Sequence, residues 1–162
     1  VNGITATLGE LHDGERALAG DLLRAAERHR TEHAVHHVAT DLARWSQEHA
    51  HRLAATGRHY GLDLAEPRGE PSGAVAALRE KAAQDLGRRT EPALLLLHDL
   101  RGLHLSAAGN SVYWDMLAQA AQAAKDQRLL GLAADCHPRT LRQMRWTLTM
   151  IKELSPQTLT ST

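Results

Sequence analysis

Phenylalanine is absent from this 162-residue chain, and the aromatic residues amount to three Trp and two Tyr. A core built from such a sequence has to be filled by aliphatic side chains and Ala. Runs of β-branched residues of strand length are also missing, which argues against a sheet and leaves an all-α composition. There is one cysteine, Cys136, so no intrachain disulfide framework forms, and the expected compartment is the reducing cytoplasm. Neither sign of charge is in excess: 19 Lys and Arg balance 19 Asp and Glu. That balance gives no reason to expect nucleic acid or an anionic membrane as partner. The longest apolar run, ALLLL at 93–97, is far too short to span a bilayer, and VNGITATLGELHD lacks a basic segment followed by an apolar one. Neither membrane insertion nor secretion is expected.

What the chain has in abundance is histidine, 11 in all. With half of them protonated the net charge rises by about five near an unperturbed pKa of about 6.5, so the surface charge is expected to be acid-sensitive. The length suits a single domain, 1–162. Apolar residues recur every three or four positions over four long segments, the period of one helix face. The first, about 4–29, carries Ile4, Leu8, Leu11, Leu18, Leu22, Ala25 and Ala26. In the second, about 31–60, Thr31 is the expected cap, Glu32 suits the first turn, Val35, Val38, Leu42, Trp45, Leu53 and Tyr60 mark the face, and Gly61 ends it. The third, about 91–125, opens with Thr90 as cap and Pro92 in the first turn. The fourth, about 126–154, presents Leu130, Ala133, Leu141, Met144, Leu148 and Ile151. AGNS at 108–111 is expected to break or kink the third helix, and Pro138 to kink or divide the fourth. Between the hairpins, residues 61–90 combine a Pro- and Gly-rich stretch with a short helix from Ala74 to about Leu86. A crossover of that length returns the chain to the opposite end of a four-helix bundle.

Chemistry-bearing residues are sought where they interrupt these stripes. The run Leu8, Leu11, Glu15, Leu18, Leu22 places a carboxylate on the face that the first hairpin buries. An unpaired buried carboxylate costs several kcal/mol, so a cation, a hydrogen-bond donor or a metal is expected beside it. In SQEHAH, 46–51, a helical advance of about 100° per residue puts His49 near the centre of the buried face, Glu48 on its flank and His51 nearly opposite. The tempting Glu48-x-x-His51 pair therefore does not aim inward as a unit. Three residues before His49 stands Ser46, where a carboxylate would complete a di-iron type Glu-x-x-His. Reflection about the turn at 31–32 sets Glu15 and His49 at one height, either as metal ligands or as a core histidine bonded to a glutamate. On the fourth helix His137 continues the stripe, with Asp135 and Cys136 off its centre, and Asp115 and His104 of the third helix are its candidate neighbours. Cys136, with no C-x-x-C partner, reads as a small buried residue. His29, His33, His36 and His37 surround the first turn; two i,i+4 pairs among them could chelate a divalent ion, a solvated helix end being the plainer reading. Trp45, Trp114 and Trp146 read as packing anchors. No phosphate-binding glycine loop or nucleophile elbow is present, and no catalytic residue is assigned.

The segment ELHDGERALAGDLLRAAERH resembles the opening helix of the ferritin-like superfamily, in particular its YciF-like stress-protein branch, whose first helix carries an Asp-Ala-Glu-basic pattern. Here the pattern reads Asp13, Gly14, Glu15, Arg16. The resemblance implies Glu15 as the metal glutamate of the first helix. EHAHRL is similar to the branch's His-x-x-Arg-Leu segment and to the bacterioferritin-like His-Ala-x-Arg segment, which implies His49 as ligand and Ser46 at the glutamate position. The second hairpin resembles the family in architecture, with Leu, Ser or Ala where its carboxylates would stand. Implied is a ferritin-like bundle of stress-response or metal-handling type, expected to form a homo-oligomer or bind a protein partner. Its degenerate site would use Glu15, His49 and His137, with Glu48 or Asp115 as neighbour, for iron or another divalent metal; a metal-free polar core is the equal expectation. A di-iron oxidase or ferroxidase, a hemerythrin-like metal binder and a metal-free scaffold or interaction module are the alternatives.

Overall fold

The computed structural model describes residues 2–64, 81 and 91–161. Among these there is no strand, and four long helices make up almost everything: α1 Gly3–Arg28, α2 His33–Arg58, α3 Pro92–Ala124 and α4 Gln127–Thr160. The short helix expected at 74–86 and the cap expected at Thr90 lie outside the described residues.

Local chemistry explains where these helices begin and end. Asn2 caps α1 by accepting the Thr5 N–H at 2.9 Å. Thr31 is not the cap of α2, which starts two residues later with Glu32 at the cap position and no side-chain cap bond. Gly61 does end that helix: with φ at 77° it lets the Leu62 N–H reach Gly57 O at 3.0 Å and its own N–H reach Arg58 O at 3.2 Å, a Schellman motif. The end of α3 repeats the motif with Lys125 at φ 55°, where an L side chain costs about 1–2 kcal/mol. Asp126 follows at once and caps α4, accepting the Leu129 N–H at 3.1 Å.

Neither helix is divided at the expected positions. α3 runs through Gly109 and Asn110, and α4 runs through Pro138 and Pro156. The Pro138 ring deprives the Ala134 carbonyl of its amide partner, but both residues are exposed, so water can take that bond and the helix continues. Beyond Leu154, hydroxyls of Ser155 and Thr160 bond back to the carbonyls of Ile151 and Pro156 at 2.6 Å, and α4 extends to Thr160.

The helices form two antiparallel hairpins, α1 with α2 and α3 with α4; α1 also lies on α3, and α2 on α4. Arg28 and His29 at the end of α1 reach Asp99 near the start of α3, at 3.0 and 2.6 Å, so these two helices run antiparallel. Arg52 with Asp135 and Ser46 with Gln143 fix the same sense for α2 and α4. The order is thus up, down, down, up. α2 ends and α3 begins at opposite ends of the bundle, the separation that a crossover over 61–90 has to bridge. No described helix is long and apolar enough to cross a membrane.

Leu8, Leu11, Trp114, Leu117, Leu129 and Leu132 fill one half of the core, Leu18, Leu22, Leu42, Leu103 and Ala107 the other. α1 and α3 meet tightly at Gly14, where a Cβ would sit 2.2 Å from Asn110 Oδ1. Since Asn110 is itself buried, Gly14→Ala is expected to destabilise by about 1–3 kcal/mol in spite of the better helix propensity of Ala. Gly14→Ala/Asn110→Ala should recover most of the loss. Urea denaturation midpoints check this, and an unimpaired single variant would remove the contact from the account.

At the other end of the hairpins the Tyr60 hydroxyl donates to Asp126, joining the end of α2 to the α3–α4 turn. Burial, the bond to Asp126 and that carboxylate's charge push the Tyr60 hydroxyl from 10.0 up to about 12. The Tyr60 bond, aided by the Leu129 N–H, holds the Asp126 carboxyl below its ordinary value. A raised phenol contributes stability that is complete below pH 10 and is lost as pH climbs towards 12; a lowered carboxylate contributes stability that is complete above about pH 4 and is lost as pH falls through the depressed value. The stability difference between the parent chain and Tyr60→Phe should therefore be level between about pH 5 and 9 and shrink beyond either limit. Denaturant midpoints across pH measure it; a difference that stayed constant at pH 11 would contradict the assignment.

Candidate functional site

Between the two apolar halves lies one layer to which every helix contributes buried polar groups: Glu15 from α1, Ser46 and His49 from α2, Asn110 and Ser111 from α3, Thr140 and Gln143 from α4. Helix phase fixes this position. Leu8 and Leu11 belong to one half and Leu18 and Leu22 to the other, so the buried residues between them, His12 and Glu15, lie at the boundary.

Glu15 is wholly buried and accepts the Nδ1–H of His49 at 2.9 Å. The His49 ring stands edge-on to Trp114, centroids 5.9 Å apart and planes at 80°, which fixes its tilt. Around this pair the other groups are neutral. Gln143 Nε2 donates to Ser46 Oγ at 2.9 Å and to Leu42 O at 3.0 Å, while Thr140 bonds back to Cys136 O at 3.4 Å. The position three residues before His49, where a second carboxylate would stand, is therefore an acceptor for an amide. Glu15 Oε1, His49 Nε2, Asn110 Nδ2, Trp114 Nε1 and Gln143 Oε1 are buried without a hydrogen-bond partner among the described residues. Each such group costs about 1–3 kcal/mol, so this layer opposes folding that the apolar halves drive.

Of the sequence-derived candidates, the structure brings Glu15 and His49 together in the core, His137 and Asp115 together outside it, and sets Glu48 apart from both. His137 Nε2 lies 2.8 Å from Ser111 Oγ, and its Nδ1 is 3.6 Å from Asp115 Oδ1. This has the connectivity of a nucleophile, a base and an orienting acid. Ser111, however, is buried within α3 with its N–H committed to the helix, so no neighbouring donors await an oxyanion. Glu48 lies at the surface with Arg139, whose guanidinium sits 5.4 Å over the Trp45 ring. His51 is exposed, as its phase requires. His104 bonds to Thr147 Oγ1 at 2.9 Å. The histidines of the first turn divide: His29 is buried on Asp99, His36 meets Ala26 O at 2.8 Å, and His33 and His37 face solvent. Among the described residues no three His, Cys, Asp or Glu side chains come together as a metal site.

The apolar count misplaces the face of the fourth helix. Leu141 and Leu148 are exposed, and the buried face runs through Leu129, Ala133, Cys136, Thr140, Gln143 and Thr147. Cys136, expected off centre, lies on that face, and its burial pushes the thiol up to about 12, which makes it a poor nucleophile. Three of the seven buried positions on this helix are Thr or Gln, which hydrophobicity passes over. Their three- and four-residue spacing, in phase with Ala133 and Cys136, was the signal available. Asn110, whose poor helix propensity predicts a break, instead fills the space that Gly14 leaves open.

Comparison of the chain with protein-family models, with curated proteins and with solved structures finds no match.

A buried pair is strained more by losing one member than by losing both, because the survivor is left desolvated and unpaired. His49→Leu is expected to cost about 3–5 kcal/mol, whereas Glu15→Leu/His49→Leu should lie between neutral and about 4 kcal/mol stabilising. Denaturation of the two variants and of Glu15→Leu closes the cycle; additive losses would show that the residues do not act as a unit.

Proposed function

We propose that the chain is a ferritin-like bundle of the stress-response type, in which the inward glutamate and histidine of a metal-handling fold persist as a buried acid–base pair within a metal-free polar core. On this reading it serves as a scaffold or interaction module and carries out no redox turnover. The up, down, down, up order with one long connection supports the first part, being the arrangement of bundles with a single crossover. The second part rests on one observation: Gln143 donates its amide to Ser46 beside the Glu15–His49 pair, so a neutral hydrogen bond completes the layer.

A dinuclear carboxylate centre draws a glutamate from each of two helices and a Glu-x-x-His from each of the other two. Against that requirement the layer offers one glutamate and one histidine, with Ser46, Asn110, Ser111, Thr140 and Gln143 as the remaining polar groups. These residues do not fit a di-iron centre, and no oxidative step follows from them. His137 meets the layer only through Ser111, and Glu48 and Asp115 make their bonds outside it.

A mononuclear site is the second reading, favoured by the unpartnered Glu15 Oε1 and His49 Nε2, one oxygen and one nitrogen on facing helices. Two protein ligands fall short of the three or four of a zinc site. Elemental analysis of the chain purified without chelator, beside Glu15→Gln and His49→Gln, separates the readings. The polar-core reading expects substoichiometric metal that neither substitution changes. One ion per chain lost in both variants would establish the second reading instead, and two irons per chain would overturn both.

A further inference from the structure

α3 carries apolar side chains on two opposite sides. One side enters the core through Leu103, Ala107, Trp114 and Leu117. On the other, Leu105, Val112 and Met116 are 54 %, 58 % and 47 % exposed, and Gly109 lies between them. Spacings of three and four put these residues on one strip, roughly 160° around the helix from the buried one. Leu141 and Leu148 of α4 lie within about 40° of His137 around their helix and extend the strip, since the Ser111–His137 and His104–Thr147 bonds set them level with it. An apolar strip along a helix and onto its neighbour marks an association surface.

We propose that this face binds a second copy of the chain, α3 running antiparallel to α3 of that copy about a two-fold axis at the middle of the helix. α3 spans Pro92–Ala124, 33 residues with Ala108 at the centre. Full overlap of two antiparallel copies therefore places the axis there, and three independent features agree with that register. Ala108 and Gly109, the smallest residues of the strip, fall at the crossing. Nothing lies within 4 Å of a Cβ built on Gly109, so the fold itself has no need of a glycine that costs about 1 kcal/mol against Ala; a second helix approaching there does. Leu105 and Val112 of the second copy, three and four residues from the centre, fall within one residue of level, and the two-fold repeats the contact. Arg101 falls opposite Asp115 of the second copy, each seven residues from the centre.

Arg101 is exposed and has no ion pair among the described residues, and Asp115 keeps 66 % of its side chain open beside His137. Moving the axis by one turn, to Val112, sets Arg101 against Ala123 and leaves both charges unmatched. Such an isologous contact closes on itself and yields a dimer, not a filament. With zero formal net charge, the two copies meet without overall repulsion.

Sedimentation velocity of the full chain from low to high micromolar concentration tests the surface, with circular dichroism as a check of folding. A reversible monomer–dimer equilibrium is expected, weakened about tenfold or more by Val112→Glu. Arg101→Asp and Asp115→Arg should each weaken it, and their combination should restore it. Gly109→Cys should give a disulfide-linked dimer on mild oxidation, while Leu94→Cys, far from the axis, should not; the native Cys136 is buried and does not compete. A monomer at every concentration would overturn the proposal, as would a dimer indifferent to Val112→Glu or a folded Gly109→Cys variant that fails to cross-link.

Discussion

The hydrogen bond between Glu15 and His49 is the constraint around which the bundle is arranged. A fully buried carboxylate tolerates no displacement from its donor, because the alternative is a charge among leucines. Sliding α1 by one turn would carry Glu15 into the Leu18 and Leu22 half of the core or into that of Leu8 and Leu11. Apolar packing alone would permit such a slip, since Leu and Ala recur at similar intervals along the helix. The polar layer therefore sets register more than it adds stability, and it does so for all four helices, each of which contributes a group to it.

The ends of the bundle are fixed by different chemistry. Asp99 collects Arg28 and His29 where α1 ends and α3 begins, and Asp126 collects Tyr60 and the first turn of α4 at the opposite end. Between α2 and α4 the contact is thinner and long side chains bridge it. Arg52 with Asp135 and Arg139 with Glu48 are solvent-exposed pairs, which contribute about 0–1 kcal/mol each. Gln143, buried and bonded to both a backbone carbonyl and Ser46, is the stronger tie on that side.

The same inventory bears on function. A core that surrounds one acid–base pair with hydroxyls and amides has little with which to bind two metals or pass electrons, whereas the outer side of α3 and α4 is built of leucine, valine and methionine facing water. The inward groups specify a fold, and the outward ones specify a surface. A scaffold that acts by association needs both, and it needs no cavity at its centre.

Most of the fold was legible because helix periodicity is local. The stripes of α1 and α2, the Gly61 stop, the Pro92 start, the inward aim of Glu15 and His49 and the outward aim of His51 follow from spacing and backbone chemistry. The sequence by itself thereby determined that there are four long helices in two hairpins and that a carboxylate and an imidazole meet inside the first. Tertiary structure alone decided the face of α4, because Gln143 is buried where Leu42 and Ser46 of α2 accept its bonds, and Thr147 where it meets His104 of α3. It decided too that Gly14 and Asn110 are two halves of one contact, and that Pro138, facing solvent, does not divide its helix. Polar residues have no fixed preference for the interior, so their place is set by partners that lie a hundred residues away in the chain.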